Sequence, residues 1–395
     1  MTVDGTTQTA PAAESTRSGN YRYPGAPPFD DSELDRRLFR GRTSEAETVL
    51  HSILSSDLFL LYAESGLGKT SLLNAGVLHE LRARGHWPIA VRLNDTGKSP
   101  VQGIRDQILE AAASDPAIEL DIDETDDDPS LWDLLASIEI WRGNDLQRLV
   151  LILDQFEELF TWGWADRDRQ RFITEFGEVV RGHRVGVAGS GDAMAPPDVR
   201  FVLVIREDSL GSLEALAADI PKIMRNRFRL GPLDPEQAEA AIREPAKIDD
   251  DRLESQRFEY TESAAVEILD FLRTSSDRGT TALAGGVDPS QLQIVCQYVE
   301  RAIVPGKTAG RPTDAVVQID ASDLGGKSGL DLILSKFYRR TVDALPATDQ
   351  RAVRNMCELG LINRNGRRLS LELDAIDAEY GVRPETLQAL VDGRL

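Results

Sequence analysis

Cysteine is almost absent, with Cys296 and Cys357 the only two in 395 residues. Two thiols cannot build a disulfide framework, so the fold must rest on apolar cores, and such usage fits a reducing, cytoplasmic interior in which both are small buried hydrophobes. Histidine is equally scarce: His51, His79, His86 and His183 stand in scattered contexts and offer no metal-binding cluster. No stretch reaches the roughly 18 apolar residues needed to cross a bilayer, and residues 1–20 lack the apolar core of a signal peptide. Basic charge is in deficit as well, 45 Lys and Arg against 66 Asp and Glu for a net −21. Such a surface repels phosphate backbones, so nucleic acid is not an expected partner and neither is a membrane. A nucleophile elbow and a Cys/His dyad are also missing.

What is present is enough apolar text, 41% of the chain, to fill more than one core. At this length two or three domains are expected. Residues 1–20, rich in Thr, Ser, Ala and Gly, read as a disordered tail. Residues 21–57 read as a lead-in that packs on the domain after it. Leu58–Tyr62, Ile89–Leu93, Leu149–Leu153 and Phe201–Ile205 are short apolar runs separated by helical text such as Val101–Ala112, the pattern of a parallel sheet covered on both faces. Residues 58–232 are therefore expected to form an α/β domain. Residues 115–128 hold eight acids and no base and read as a solvated loop, and Gly182–Pro197 reads as a Gly/Pro-rich linker. From 233 to 329 the pattern is helical, with Ala264, Ile268, Leu269 and Leu272 on one stripe. Residues 330–395 carry helices and a hairpin signal at Asn365-Gly366, which suggests a winged helix. The text is still helical where it stops, so the chain is expected to continue beyond Leu395.

Chemistry concentrates in two places. Ala63-Glu64-Ser65-Gly66-Leu67-Gly68-Lys69-Thr70 lies between a strand and a helix, the context a phosphate-binding loop requires. Its glycines let backbone N–H groups turn toward phosphate, and the helix start adds partial positive charge. Ser65, Gly66, Leu67, Gly68 and Ser71 are expected to complete the cradle, Lys69 to neutralise β/γ-phosphate charge and Thr70 to ligate Mg²⁺. Ala63 stands where the usual motif has Gly, a change that leaves the later cradle residues intact. Further on, the apolar run Leu149–Leu153 delivers Asp154-Gln155-Phe156-Glu157-Glu158. Asp154 is expected in the Mg²⁺ shell, and Glu158 or Glu157 to orient or deprotonate an attacking water. Arg206 ends the run Phe201–Ile205, where it reaches a γ-phosphate if its strand lies between the two motif strands.

Taken with Tyr23-Pro24-Gly25 and Phe39-Arg40-Gly41-Arg42, and with the continuation into Leu159 and Phe160, these motifs closely resemble the bacterial novel STAND NTPases. STAND proteins are similar in fold to AAA+ ATPases, so the resemblance implies a P-loop NTPase domain with a parallel sheet, then an all-α lid and a winged helix. It also implies that Phe39, Arg40 and Gly41 lie near the adenine, that Arg206 acts as a sensor, and that Pro289 of Gly285–Leu292 packs on the base. Asp288 before Pro289 departs from the family spacing, and Gly231-Pro232 is the alternative. Arg225, Arg227 and Arg229 include a candidate finger for a neighbouring subunit, and Arg364, Arg367 and Arg368 lie on the expected wing.

The function implied is a slow ATPase switch, with ATP or ADP and Mg²⁺ as ligands, that self-associates on activation in bacterial signalling or anti-phage defence. A sensor or effector is expected beyond residue 395. Two rival readings remain: an AAA+ nucleic-acid ATPase gripping DNA through its winged helix, and a scaffold that binds nucleotide without hydrolysing it.

Overall fold

The apolar runs assemble into one sheet because each is buried on both faces. In the computed structural model, which describes residues 19–122, 128–161, 163–184, 195–276, 286–308, 316–361 and 376–392, five strands run parallel. They are β1 (Leu58–Ala63), β2 (His86–Val91), β5 (Asp145–Asp154), β6 (Val199–Arg206) and β7 (Arg227–Arg229), in the spatial order β2-β5-β6-β1-β7. Alternate side chains of a strand point to opposite faces, and the two sets fill two separate cores. Leu58, Leu60, Leu151, Leu153, Leu203 and Ile205 join the aromatic cluster of Phe156, Phe172, Phe176 and Phe201 on one face. Phe59, Leu61, Val150, Ile152, Val202 and Val204 meet Val49 and Ile53 of the helix Thr43–Ser55 on the other. β2 begins three residues before its most apolar stretch because His86, Trp87 and Pro88 are already paired with Arg148, Leu149 and Val150 of β5.

The segment expected as a solvated acidic loop is in part a strand. β3 (Ile118–Asp121) pairs antiparallel with β4 (Glu139–Arg142), which pairs antiparallel with the start of β5. Ile-Glu-Leu-Asp alternates with period two, so Ile118 is buried in the core and Leu120 packs against it, while Glu119 and Asp121 point elsewhere. The count of acids concealed that alternation. Residues 123–127 of this segment, and residues 185–194 of the expected Gly/Pro linker, lie outside the described residues.

The chain divides into two units, Phe29–Gln237 and Met1–Pro28 together with Ala238–Leu395. The lead-in text is thereby split. In the second unit the Tyr23 ring is fully buried and its hydroxyl donates to the Ile242 carbonyl. Glu300, also fully buried, accepts from the backbone N–H groups of Arg22 (3.0 Å) and Tyr23 (3.2 Å). The Arg22 guanidinium lies 3.3 Å from the Glu300 carboxylate and donates to the carbonyls of Ser255 and Ile248, both at 2.8 Å. A buried ion pair is tolerated where its polar atoms find such partners. The same unit holds the helices Glu262–Ser276, Pro289–Tyr298 and Gly326–Asp343 and a parallel pair of short strands, β8 (Phe258–Tyr260) and β9 (Val317–Ile319). Cys296 is fully buried there, and burial pushes its thiol up to about 12. Val342, Leu345, Val353, Met356, Ile376, Val382 and Leu390 form a further core. The hairpin signal at Asn365-Gly366, with Arg364, Arg367 and Arg368, lies outside the described residues.

One close approach in the first unit is testable. Gly177 sits inside the helix Asp166–Arg181, and a Cβ there would stand 2.5 Å from the Asp219 carbonyl oxygen, which also accepts from Arg181. Replacing a helical glycine by alanine ordinarily gains about 1 kcal/mol, whereas overpacking costs about 1–3 kcal/mol. Because the obstacle is backbone, the clash should win. Gly177→Ala is expected to lower the urea midpoint, and an unchanged or raised midpoint would show that the contact is not this tight.

Candidate nucleotide-binding site

The site is built at the C-terminal edge of the parallel sheet, the edge at which α/β sheets hold ligands. β1 ends at Ala63 and the chain turns through Gly66 (φ +85°) and Gly68 (φ +86°), left-handed conformations that disfavour other residues. A helix then runs from Lys69 to Ala83, its middle turns Leu72–Leu78 wound more widely, with Leu72, Leu73, Val77 and Leu81 buried. Leu67 is buried and anchors the loop in the core, while Ser65 and Gly66 are exposed and Thr70 is half-buried at the first helical turn. Lys69 Nζ donates to the carbonyls of Ala63 (3.1 Å) and Glu64 (3.4 Å). Burial lowers its pKa from the ordinary lysine value, opposed by the charges of Glu157 and Asp154. The Ser71 hydroxyl accepts from the Phe29 N–H (3.2 Å), and Asn74 donates to the Phe29 carbonyl (3.1 Å).

Four strands on in sequence but only two places away in the sheet, β5 brings the carboxylates. β6 lies between β1 and β5, with Ala63 opposite Arg206 and Asp154 opposite Val204. Asp154 Oδ1 accepts from the Gln155 N–H (3.0 Å), and the Phe156 N–H returns to the Val204 carbonyl (3.0 Å). Phe156 is thus driven into the aromatic core, which leaves Glu157 and Glu158 at the edge. Glu157 Oε2 accepts from the Arg206 N–H (3.3 Å), and burial raises its pKa, partly offset by Lys69 and Arg206. Glu158 is only 8% exposed; burial, with repulsion from Glu157 and Asp154, raises its pKa to about 7 against the pull of Arg92. Its Oε2 is buried without a hydrogen-bond partner.

Other residues singled out in the sequence fall in different surroundings. The Arg206 guanidinium is engaged by Asp208, with Nε 3.2 Å from Oδ1, and Arg229 of β7 pairs with Glu207 (2.8 Å). Phe39 stacks edge-on against Phe29 (5.4 Å between centroids) and packs on the core beside Gly76; Gly41 has φ +83°. Arg40 precedes that turn. Pro289 belongs to the other unit, where it is the first residue of the helix Pro289–Tyr298. Asp288 caps that helix, accepting from the N–H groups of Ser290 (2.8 Å) and Gln291 (3.3 Å), which gives the departure from the family spacing a local cause.

Sequence reasoning missed three members of the site and its frame. Arg92 follows β2, its backbone clamped from both sides by the Gln107 amide (2.9 Å each), and its guanidinium stands 4.0 Å from Asp154 Oδ2. Gln155 lies between Arg92 and Glu158. Arg42 is buried and ties Glu45 (2.7 Å) to the Gly231 carbonyl (2.6 Å), and Gln237 donates to the same glutamate (2.8 Å). Arg42 had a signal in the Phe-Arg-Gly-Arg run; Arg92 and Gln155 had none beyond adjacency to strand ends.

A glycine loop opening a helix, a desolvated lysine inside it and a carboxylate strand one place removed in the sheet define a P-loop NTPase. The chain belongs to the novel STAND NTPase 1 family, whose model matches residues 23–266. No curated protein matches the sequence. Among solved structures, the chain is similar to the Aeropyrum pernix ORC2 protein, described in ADPNP–ADP complexes, at 14% identity over 90% of this chain and 86% of that one, with a TM-score of 0.46. It is similar to the Walker-type ATPase PABY2304 of Pyrococcus abyssi at 16% identity over 93% and 92%, TM-score 0.45. The Aeropyrum pernix ORC1 protein in complex with DNA matches at 14% identity over 82% and 73%, also with a TM-score of 0.45. Likenesses of this size carry no functional argument.

The burial of Glu158 has a measurable consequence of its own. The folded state holds its proton up to about pH 7, whereas an exposed glutamate releases it near 4.5. Folding is therefore favoured by this group at low pH, and that advantage is lost as pH rises from about 4.5 to 7. Above that window the buried carboxylate opposes folding, because its negative charge must be taken out of water. Glu158→Gln, which removes the charge and keeps the shape, is expected to stabilise nucleotide-free protein at pH 8 by about 1–3 kcal/mol and to change little at about pH 4.5. Equal effects at both pH values in urea unfolding would contradict the assignment.

Proposed function

We propose that the chain is a nucleotide-state switch that binds ATP or ADP with Mg²⁺, hydrolyses ATP slowly, and uses the difference between the two states to control opening and self-association. The observation that carries this reading is Lys69. Its ammonium is desolvated behind a glycine loop, and its hydrogen bonds go to two neutral carbonyls, so an anion is the ligand that completes it. The exposed Ser65 and Gly66 and the start of the helix suit phosphate oxygens. Phe39, Arg40 and Gly41 are proposed on the adenine side, as the family resemblance implies. Within bacteria, signalling or anti-phage defence is the proposed setting.

In this mechanism Thr70 and Asp154 would hold Mg²⁺, which would supply neutralisation of phosphate charge. Lys69 holds the same oxygens. Glu158 is the base: its unpartnered Oε2 accepts a proton from a water as that water's oxygen bonds to the γ-phosphorus. The bond from phosphorus to the β,γ-bridging oxygen breaks, leaving ADP and inorganic phosphate. A pKa of about 7 suits a base that must be ionised before attack and protonated after it. Glu157, which accepts the Arg206 N–H, holds the sensor strand rather than the water. Arg206 reaches phosphate by exchanging Asp208 for it.

A ligand that binds only folded protein stabilises it by about 2.7 kcal/mol at a hundredfold excess over Kd. ADP with Mg²⁺ is therefore expected to raise the melting temperature of nucleotide-stripped protein, and Lys69→Ala to abolish the rise. Glu158→Gln should keep the rise and lose hydrolysis by about 100-fold or more. An ADP titration that leaves the parental melting temperature unchanged would sink the nucleotide reading, and parental hydrolysis in Glu158→Gln would sink the base assignment.

A further inference from the structure

Gln155 is the only non-glycine residue with a left-handed backbone among the described residues, at φ +54°. Such a conformation is costly for a side chain with a Cβ and persists where its surroundings impose it, most often at functional sites. Here the surroundings are explicit. The N–H of Gln155 is held by Asp154, its carbonyl accepts from the Glu158 N–H (2.8 Å), and the next residue returns to β6 through the Val204 carbonyl. The chain thus makes a four-residue turn from Gln155 to Glu158, and the left-handed first residue aims its side chain back across that turn. Its amide is assigned from its neighbours: with the nitrogen toward Glu158 Oε1 (2.6 Å) and the oxygen toward the Arg92 guanidinium (2.5 Å) both atoms are satisfied, whereas the reverse assignment would set oxygen against carboxylate and nitrogen against guanidinium. Arg92 is itself fixed by the double clamp of Gln107 on its backbone.

We propose that Gln155 is the positioning residue of the hydrolytic step: held by Arg92, its amide fixes one oxygen of Glu158 so that the other is presented to the attacking water. The inference rests on the reading of Glu158 as the base. A carboxylate with both oxygens free rotates about its last bond, whereas one with Oε1 tied has Oε2 in a single place. Burial without a partner, which Oε2 shows, is the state expected of an acceptor that waits for a ligand-bound water. Glycine would accept the backbone geometry without strain, yet the position carries a long amide, which a purely structural turn does not require. The contribution of Arg92 is to occupy the amide oxygen, so that the nitrogen cannot swing away from the carboxylate.

Parent protein stripped of nucleotide is compared with Gln155→Gly, Gln155→Ala, Glu158→Gln and the double variant Gln155→Gly/Glu158→Gln, by single-turnover ATP hydrolysis, ADP binding and melting. Gln155→Gly is expected to bind ADP within about twofold of the parent, melt no lower, and hydrolyse at least about tenfold more slowly. Gln155→Ala should share the slow step but melt below Gln155→Gly, because alanine keeps the backbone strain. The double variant should be no more than about twofold slower than Glu158→Gln alone, since a residue acting through another loses its effect once that partner is gone. Parental hydrolysis in Gln155→Gly, or a loss that multiplies fully with that of Glu158→Gln, overturns the inference and leaves the base assignment standing. Parental hydrolysis in Glu158→Gln, or a parent without turnover, overturns both.

Discussion

The register that sets Ala63 of β1 opposite Arg206 of β6, and Val204 of β6 opposite Asp154 of β5, is the constraint on which the rest depends. Parallel strands buried on both faces have little freedom to slip, because a shift of one residue would send Phe59 and Leu61 into the core that holds Leu58 and Leu60. The phosphate loop, the acidic turn and the arginine therefore reach one sheet edge as a by-product of core packing. Their mutual placement needs no interaction between them.

That economy is offset by what the edge itself must hold. Lys69, Glu157 and Glu158 are each pushed away from their charged forms by burial, and Gln155 keeps a backbone that favours glycine. Above about pH 7 none of these features helps the empty protein fold. Clustered within one turn and one loop, they form the kind of locally unfavourable arrangement that stable scaffolds retain where chemistry is done. The two large cores on either side of the sheet supply the stability that makes it tolerable.

Much of this was legible in the sequence because the signals were local. An apolar run without alternation is a two-sided strand, and a glycine loop between strand and helix is a phosphate loop. β3 was hidden because its acidic residues alternate with Ile118 and Leu120, and composition overrode period. The division of the lead-in was hidden for a different reason: Tyr23 and Phe29 are six positions apart, yet Tyr23 donates to Ile242 and Phe29 to Ser71, and sequence adjacency says nothing about which distant partner wins. Asp288 looked like a defect in a motif and is a helix cap. Arg92 and Gln155 were illegible because their importance lies in a contact between the ends of two strands and in one dihedral angle, neither of which has a composition.

The central claim is that the glycine loop and the acidic strand end form one nucleotide site, with the metal held between them by Thr70 and Asp154. Equilibrium dialysis of a non-hydrolysable ATP analogue into stripped protein, with Mg²⁺ and with excess chelator, tests it most directly when parent and Asp154→Asn are run together. One nucleotide per chain, bound more tightly with Mg²⁺ in the parent and with that metal dependence lost in Asp154→Asn, is the result the account requires. Binding that ignores both the metal and the substitution would show that the acidic strand end is not part of the site.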